Sequence, residues 1–195
     1  MTNHNPWLTK GEEGKRVRKK HLEQQDLVII QRYQALELVA EILLQRFRKT
    51  EGLKVLDLGC GDGVCTEYFA KKFPNNDFIL IDGSDEMIEK AKERLAQVER
   101  CTFQVQSFEE FSDAQGDASG SYDVVFSSTA IHHLDAQEKD DLNRAIFQSL
   151  KAGGCFLNFD VIKPSSPYSE EIQDQLWVNW MNKMISSYST ELQVG

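Results

Sequence analysis

The chain is short of positive charge. Its 22 Lys and Arg are outnumbered by 31 Asp and Glu, for a formal net charge of -9 at pH 7. That balance argues against an open nucleic-acid-binding surface, because such binding rests mainly on phosphate neutralisation by Lys and Arg. One basic run, Lys15, Arg16, Arg18, Lys19 and Lys20, is the only candidate for a local patch, and it reads as a solvated helix start or arm. Cysteine is also scarce. The residues at 60, 65, 101 and 155 show neither paired C-x-x-C spacing nor an accompanying histidine pattern, so no metal site is expected and the usage is that of a reduced, cytoplasmic protein. No stretch reaches the roughly 18 apolar residues of a membrane span. Met1 to Lys20 lacks the apolar middle of a secretory signal. No internal repeat is present.

At 195 residues, 41% hydrophobic and 27% charged, the chain has room for one domain with a sizeable core. His21 to Arg48 keeps helical spacing through Leu22, Leu27, Ile30, Tyr33, Leu36, Val39, Ile42, Leu43 and Phe47, which predicts one or two helices within an N-terminal helical segment, 1–50. Strands are predicted at Lys54–Leu58, Phe78–Asp82, Thr102–Gln106, Val124–Ser127 and Cys155–Ile162, with helices at Val64–Phe73, Glu86–Val98 and Ala136–Leu150. This alternation implies an α/β core over 51–164: a Rossmann-like, doubly wound and mostly parallel sheet with helices on both faces. Ligand then binds at the carboxyl ends of the strands. Ser112–Ser121 is small and polar, and reads as a flexible surface loop. The C-terminal segment 165–195 carries one amphipathic helix, with Ile172, Leu176, Trp180 and Met184 on a stripe widened by Trp177 and Met181.

The densest signal is Lys54-Val-Leu-Asp57-Leu-Gly59-Cys60-Gly61-Asp62-Gly63. A buried strand delivers glycines at alternate positions into a predicted helix, a turn that lets a ligand approach the main chain. A dinucleotide fingerprint would space the glycines as G-x-G-x-x-G and seat a pyrophosphate on the helix N-terminus. Here the spacing is G-x-G-x-G, and Asp57 ahead of it would repel a pyrophosphate but suits an amino group or a sulfonium. Asp82, closing the next apolar run, stands where such folds place the acid that accepts hydrogen bonds from ribose hydroxyls. Ribose with a cation points to S-adenosyl-L-methionine and away from NAD.

From about Tyr33 to Pro164 the chain resembles the class I S-adenosylmethionine-dependent methyltransferases. Val55–Gly63 is similar to their first motif and Ile79–Met87 to the acidic second motif. Phe103–Phe108 stands at the adenine-contacting third position, Tyr122–Leu134 resembles the fourth strand with its exit loop, and Leu150-Lys-Ala-Gly153-Gly154 resembles the turn into the fifth. The resemblance implies a cofactor site built from Asp57, Gly59, Cys60, Gly61, Asp82, Gly83, Met87, Ser107, Phe108 and Ser127. Asp57 either caps the turn or also binds the methionine amino group, and Met87 either packs on adenine or fills core. Ser107 replaces the Asp more usual in the family. His132 and His133 are the candidate catalytic residues, one of them as a general base or as a shaper of the acceptor pocket.

The sequence after the fourth strand, Ser127-Ser-Thr-Ala130, is not the Asn/Asp-Pro-Pro-Tyr of exocyclic base-amine methylators, and no Pro-Cys dipeptide or catechol-type metal cluster is present. The expected activity is therefore methyl transfer to a small-molecule or carrier-bound acceptor at O, N or C, with a non-catalytic cofactor-binding or scaffold subunit as the alternative. The family's final antiparallel hairpin has no counterpart in Ser165–Gly195. Either the chain is truncated after the fifth strand, leaving 165–195 as a remnant, or the sheet edge is covered by something else, such as a second copy in a homodimer or another partner. The tail helix is expected either to pack as core or to close as a lid over the acceptor.

Overall fold

A computed structural model describes residues 32–114, 119–162 and 164–191. The elements in chain order are α1 (Arg32–Arg46), β1 (Lys54–Leu58), α2 (Val64–Lys72), β2 (Asp77–Asp82), α3 (Asp85–Arg94), β3 (Cys101–Val105), α4 (Phe108–Asp113), β4 (Tyr122–Ser128), a 3-10 turn (Ile131–His133), α5 (Ala136–Ser149), β5 (Leu150–Phe159) and α6 (Pro167–Glu191). The strands form one sheet in the order β3-β2-β1-β4-β5. Every pairing in it is parallel, so among the described residues there is no antiparallel hairpin.

Strand alternation divides the core. Val55, Phe78, Leu80, Val124 and Phe126 face α1, α2 and α3, where they meet Leu36, Leu43, Phe69, Ile88 and Leu95. Leu56, Leu58, Ile79, Ile81 and Val125 face the opposite way, against Phe111, Leu142 and Ile146 of α4 and α5. Central strands buried on both faces read as unbroken apolar runs, which is why β1, β2 and β4 were legible. The face of β1 that carries Val55 also carries Asp57, so the fold itself turns that carboxylate inward beneath α2.

Several boundaries differ from expectation. Strand β5 begins at Leu150 and ends at Phe159, where Cys155–Ile162 was expected. A bulge separates the Tyr122/Leu150 pair from Val124/Cys155. It is formed where Gly153 adopts φ +84°, and there Arg46 Nη2 donates to the Gly153 carbonyl at 3.0 Å. Helix α3 stops at Arg94, not Val98, with a turn carrying Leu95 into the core. The supposed loop from Ser112 loses its first residues to α4, in which Ser112 is buried and donates to the Phe108 carbonyl at 2.8 Å. Residues 115–118 of that loop lie outside the described residues.

At the N-terminal side, α1 buries Leu36, Val39, Ala40 and Leu43, while Tyr33 and Ile42 of the predicted stripe are exposed. The basic run and His21–Gln31 lie outside the described residues. In the tail, Tyr168, Ile172, Leu176 and Val178 of α6 are exposed, so the core-packing expectation is corrected for these positions. The side chains of Trp177, Met181 and Met184 lie outside those described. No helix among the described residues is long and apolar enough to cross a membrane.

Phe126 shows how firmly the inner strands are held. It is 2% exposed and meets Phe69 edge to face, with ring centroids 5.1 Å apart. Phe126→Ala is expected to destabilise the domain by about 3–5 kcal/mol. Urea unfolding of both proteins checks this, and a loss below about 1 kcal/mol would mean that the two faces are not packed as described.

Candidate cofactor and acceptor site

The loop after β1 is held to β2 by its own main chain. Gly59 and Cys60 donate their amides to the Ile81 carbonyl at 2.8 and 3.0 Å, and Gly63 donates to the Cys60 carbonyl at 3.0 Å. Gly61 donates to Asp82 Oδ2 at 2.9 Å, and Asp82 Oδ1 accepts the Ser84 amide at 2.9 Å. The N-cap role of the second turn therefore falls to Ser84, whose hydroxyl accepts from the Met87 amide. Asp82 spans both loops at the strand end, partly accessible, beside the exposed Gly83.

Two of the glycines serve different ends. At Gly61, φ +55°, a Cβ would meet nothing within 4 Å, so the space above it is open to a ligand. At Gly59, φ +76°, a Cβ would fall 2.6 Å from the Ala130 Cβ and 2.9 Å from Phe108 Cζ. There the missing side chain lets the loops after β3 and β4 rest on the glycine loop.

Asp57 is 3% exposed and accepts a 2.6 Å hydrogen bond from the Thr66 hydroxyl of α2. Burial pushes its carboxyl up to about 7, the Thr66 hydroxyl opposes that rise, and the charges of Asp82 and Asp62 add to it. A bound ammonium or sulfonium would relieve all three carboxylates.

Four predicted cofactor residues have side chains engaged elsewhere. The Cys60 thiol is buried in the core, donates to the Gly61 carbonyl and is pushed well up by burial, so at the cleft this residue offers main chain only. Met87 is 2% exposed, which favours the core-filling role. Ser107 is the N-cap of α4: its hydroxyl accepts from Glu110 N at 3.1 Å while its amide donates to Glu110 Oε2 at 2.7 Å. That capping box explains a serine where the family more often has an acid, and it engages the hydroxyl that was expected at the adenine. Ser127 is fully buried and donates to the Leu58 carbonyl at 2.7 Å, joining β4 to β1 beneath the site.

The acceptor side is built at the ends of β4 and β5. Thr129 holds φ +51°, a left-handed conformation unusual for a β-branched residue, and donates its amide to the Phe159 carbonyl at 2.8 Å. The chain then turns through Ile131–His133. Asp160 grips that turn twice: Oδ2 accepts the His132 amide at 2.9 Å and Oδ1 lies 2.6 Å from His132 Nδ1. Burial works against the Asp160 charge, but the hydrogen bonds from His132 and from the Val161 amide hold its carboxyl below the usual carboxylate range. A carboxylate on Nδ1 requires a proton there, which leaves the Nε2 lone pair free in the neutral ring. The His132 side chain is 31% exposed and its ring lies 4.0 Å, centroid to centroid, from that of His133.

Asp160 was missed because strand β5 was extended through it to Ile162. The available signal was an acid closing an apolar strand at its carboxyl end, the same signal that marked Asp82. Among the described residues no cluster of His, Cys, Asp and Glu could hold a metal ion.

A five-stranded parallel sheet with a glycine loop and strand-end acids defines a nucleotide-type α/β fold, and comparison with known proteins specifies which. A family model described as "Methyltransferase domain" matches residues 55–154, and the chain belongs to that family. It is 31% identical over 116 residues to a malonyl-[acyl-carrier protein] O-methyltransferase of Bacillus cereus, covering 60% of this chain and 40% of the relative. It is 33% identical over 136 residues to phosphoethanolamine N-methyltransferase 1 of Arabidopsis thaliana, covering 68% and 26%. The chain thus spans well under half the length of these relatives. Among solved structures, the YcgJ protein of Bacillus subtilis superposes with a TM-score of 0.57 at 25% identity, covering 74% of this chain and 57% of that one. S-adenosylmethionine fits the residues present: open space over Gly61, a ribose-type acid at Asp82 and buried carboxylates for its positive groups.

Two outcomes are expected. Because the folded Asp57 binds a proton up to about pH 7 and the unfolded one only to about 3.8, the native state holds the extra proton between those values. Stability from this group is therefore full below pH 4 and is lost as pH rises to 7 and above, by on the order of 4 kcal/mol. Asp57→Asn should flatten that decline in melting temperature between pH 5 and 8 and weaken the cofactor; identical pH slopes in the two proteins would show that Asp57 does not titrate there. Gly61→Val should abolish binding of S-adenosylhomocysteine while circular dichroism stays native, and retained affinity would place the ligand elsewhere.

Proposed function

We propose that the protein transfers the methyl group of S-adenosylmethionine to a small or carrier-bound acceptor that must lose a proton, with His132 as the general base. The observation that carries this reading is the pair of hydrogen bonds that His132 donates to the Asp160 carboxylate, one from its amide and one from Nδ1, which fixes the ring and keeps its proton on Nδ1. The sulfonium of the cofactor supplies the electrophilic methyl. The protein's own residues do the rest: Asp82 holds the ribose, the Gly61 loop and Asp57 receive the cationic methionine end, and the turn after β4 presents Nε2 to the acceptor. As the acceptor proton moves to Nε2, the Asp160 carboxylate stabilises the imidazolium that forms.

The relatives' printed names support a small or carrier-bound acceptor. The lid role of α6 belongs to the same proposal, since its exposed apolar residues Ile172 and Leu176 are free of the core. An incomplete sheet had made a non-catalytic subunit conceivable; turnover separates the two.

The test is formation of S-adenosylhomocysteine across a panel of hydroxyl, amine, carboxylate and carrier-bound acceptors, followed by a pH profile with the best of them. His132→Ala should lower kcat by about 10²–10⁴-fold with S-adenosylhomocysteine affinity nearly unchanged, and Asp160→Asn should fall between the two. Undiminished kcat in His132→Ala would remove it from the chemistry.

A further inference from the structure

The glycine loop has a second anchorage, on the side away from Asp82. Asp62, between Gly61 and Gly63, is 7% exposed, and its Oδ2 lies 2.5 Å from Arg94 Nη2. Arg94 Nε also donates to the main-chain carbonyl of Asp62 at 3.0 Å, and Nη1 reaches Glu67 Oε2 of α2 at 3.0 Å. One guanidinium thus grips the loop's main chain, its side chain and the helix that follows it, a three-way hold that a lysine's single ammonium does not reproduce. The other Asp62 oxygen, Oδ1, is buried with no hydrogen-bond partner, so Arg94 is this carboxylate's one counter-charge among the described ion pairs. Removing it would leave an unpaired buried charge.

The placement of Arg94 gives the contact its meaning. It is the last residue of α3, where the helix carbonyls favour a cation. Asp82 and Ser84 lie just ahead of the first residue of the same helix. Gly63 is pressed against α3 between the two anchors: a Cβ there would fall 3.2 Å from that of Ala91 and 3.1 Å from Leu95 Cδ1. The loop is therefore held twice, at Gly61 by Asp82 ahead of α3 and at Asp62 by Arg94 at the end of α3.

We propose that Arg94 is a positioning residue for the cofactor, acting through Asp62 to hold Gly61–Gly63 in the form that receives the methionine end of S-adenosylmethionine. The inference rests on the cofactor reading above and adds to it a residue that touches no ligand.

The experiment is calorimetric titration of the full chain with S-adenosylhomocysteine and, separately, with adenosine, which lacks the methionine end. The variants are Asp62→Asn, Arg94→Met, their double, and Glu67→Gln, each with a melting curve. Each of the first two singles should weaken S-adenosylhomocysteine about tenfold, the double should be no weaker than the weaker single, and Glu67→Gln should stay within about twofold of the parent. Adenosine affinity should change by less than about threefold throughout. The proposal is overturned if Arg94→Met, or Asp62→Asn should Arg94→Met not fold, binds S-adenosylhomocysteine like the parent. It is overturned equally if the single losses multiply in the double, or if adenosine falls in step, which is what general damage to the domain would give. A parent that binds no S-adenosylhomocysteine takes down the cofactor reading together with this one.

Discussion

The Asp82 carboxylate holds two main-chain amides at once, that of Gly61 on the glycine loop and that of Ser84 ahead of α3. Its own carbonyl accepts the amide of Gln106, so the turn after β3 is tied to the same residue. Three loops at the carboxyl end of the sheet are therefore registered on one residue. The residue is partly accessible at the strand end, and a carboxylate can accept several hydrogen bonds at once, so anchoring these amides is compatible with accepting from ligand hydroxyls. An acid is needed here for the fold of the cleft as much as for binding, because an amide side chain would present one oxygen where the structure uses two.

That arrangement concentrates negative charge. Asp57 and Asp62 are buried, Asp82 is close enough to raise Asp57, and Arg94 pairs with Asp62. Burial of a carboxylate such as Asp57 disfavours the folded chain. It is tolerable because burial raises Asp57 until it takes up a proton, and carboxylates gathered in this way disfavour a pyrophosphate. Stability is given up at the place where binding needs it.

How much of this was legible follows from what each signal encodes. The glycines and strand-end acids act through main chain and position, and Asp57, Gly61 and Asp82 converge as the sequence implied. Ser107 and Ser127 were placed correctly along the chain, but a resemblance gives positions and not side-chain directions: one hydroxyl caps α4 and the other is buried against Leu58. The capping box Ser107-x-x-Glu110 was itself readable and would have announced α4. Asp160 and Arg94 were not found because both act across the fold, on His132 and on Asp62, at sequence separations that periodicity does not reach. The end of β5 was misplaced because Val161 and Ile162 continue the apolar run although both are exposed.

Gly59 shows why the two halves of the site are not independent. Its absent Cβ is occupied by Ala130, at the start of the turn that carries His132, and by Phe108, the first residue of α4. The strained Thr129 precedes that turn, and its amide is fixed to β5 by the Phe159 carbonyl. The acceptor loop thus lies wedged between the glycine loop and the end of β5, with the Asp160 carboxylate setting its ring. A side chain at Gly59 would clash with Ala130 and Phe108, so only glycine lets the two loops approach this closely. The glycine loop and the turn that carries His132 therefore pack directly on one another, and glycine is the residue that permits that contact.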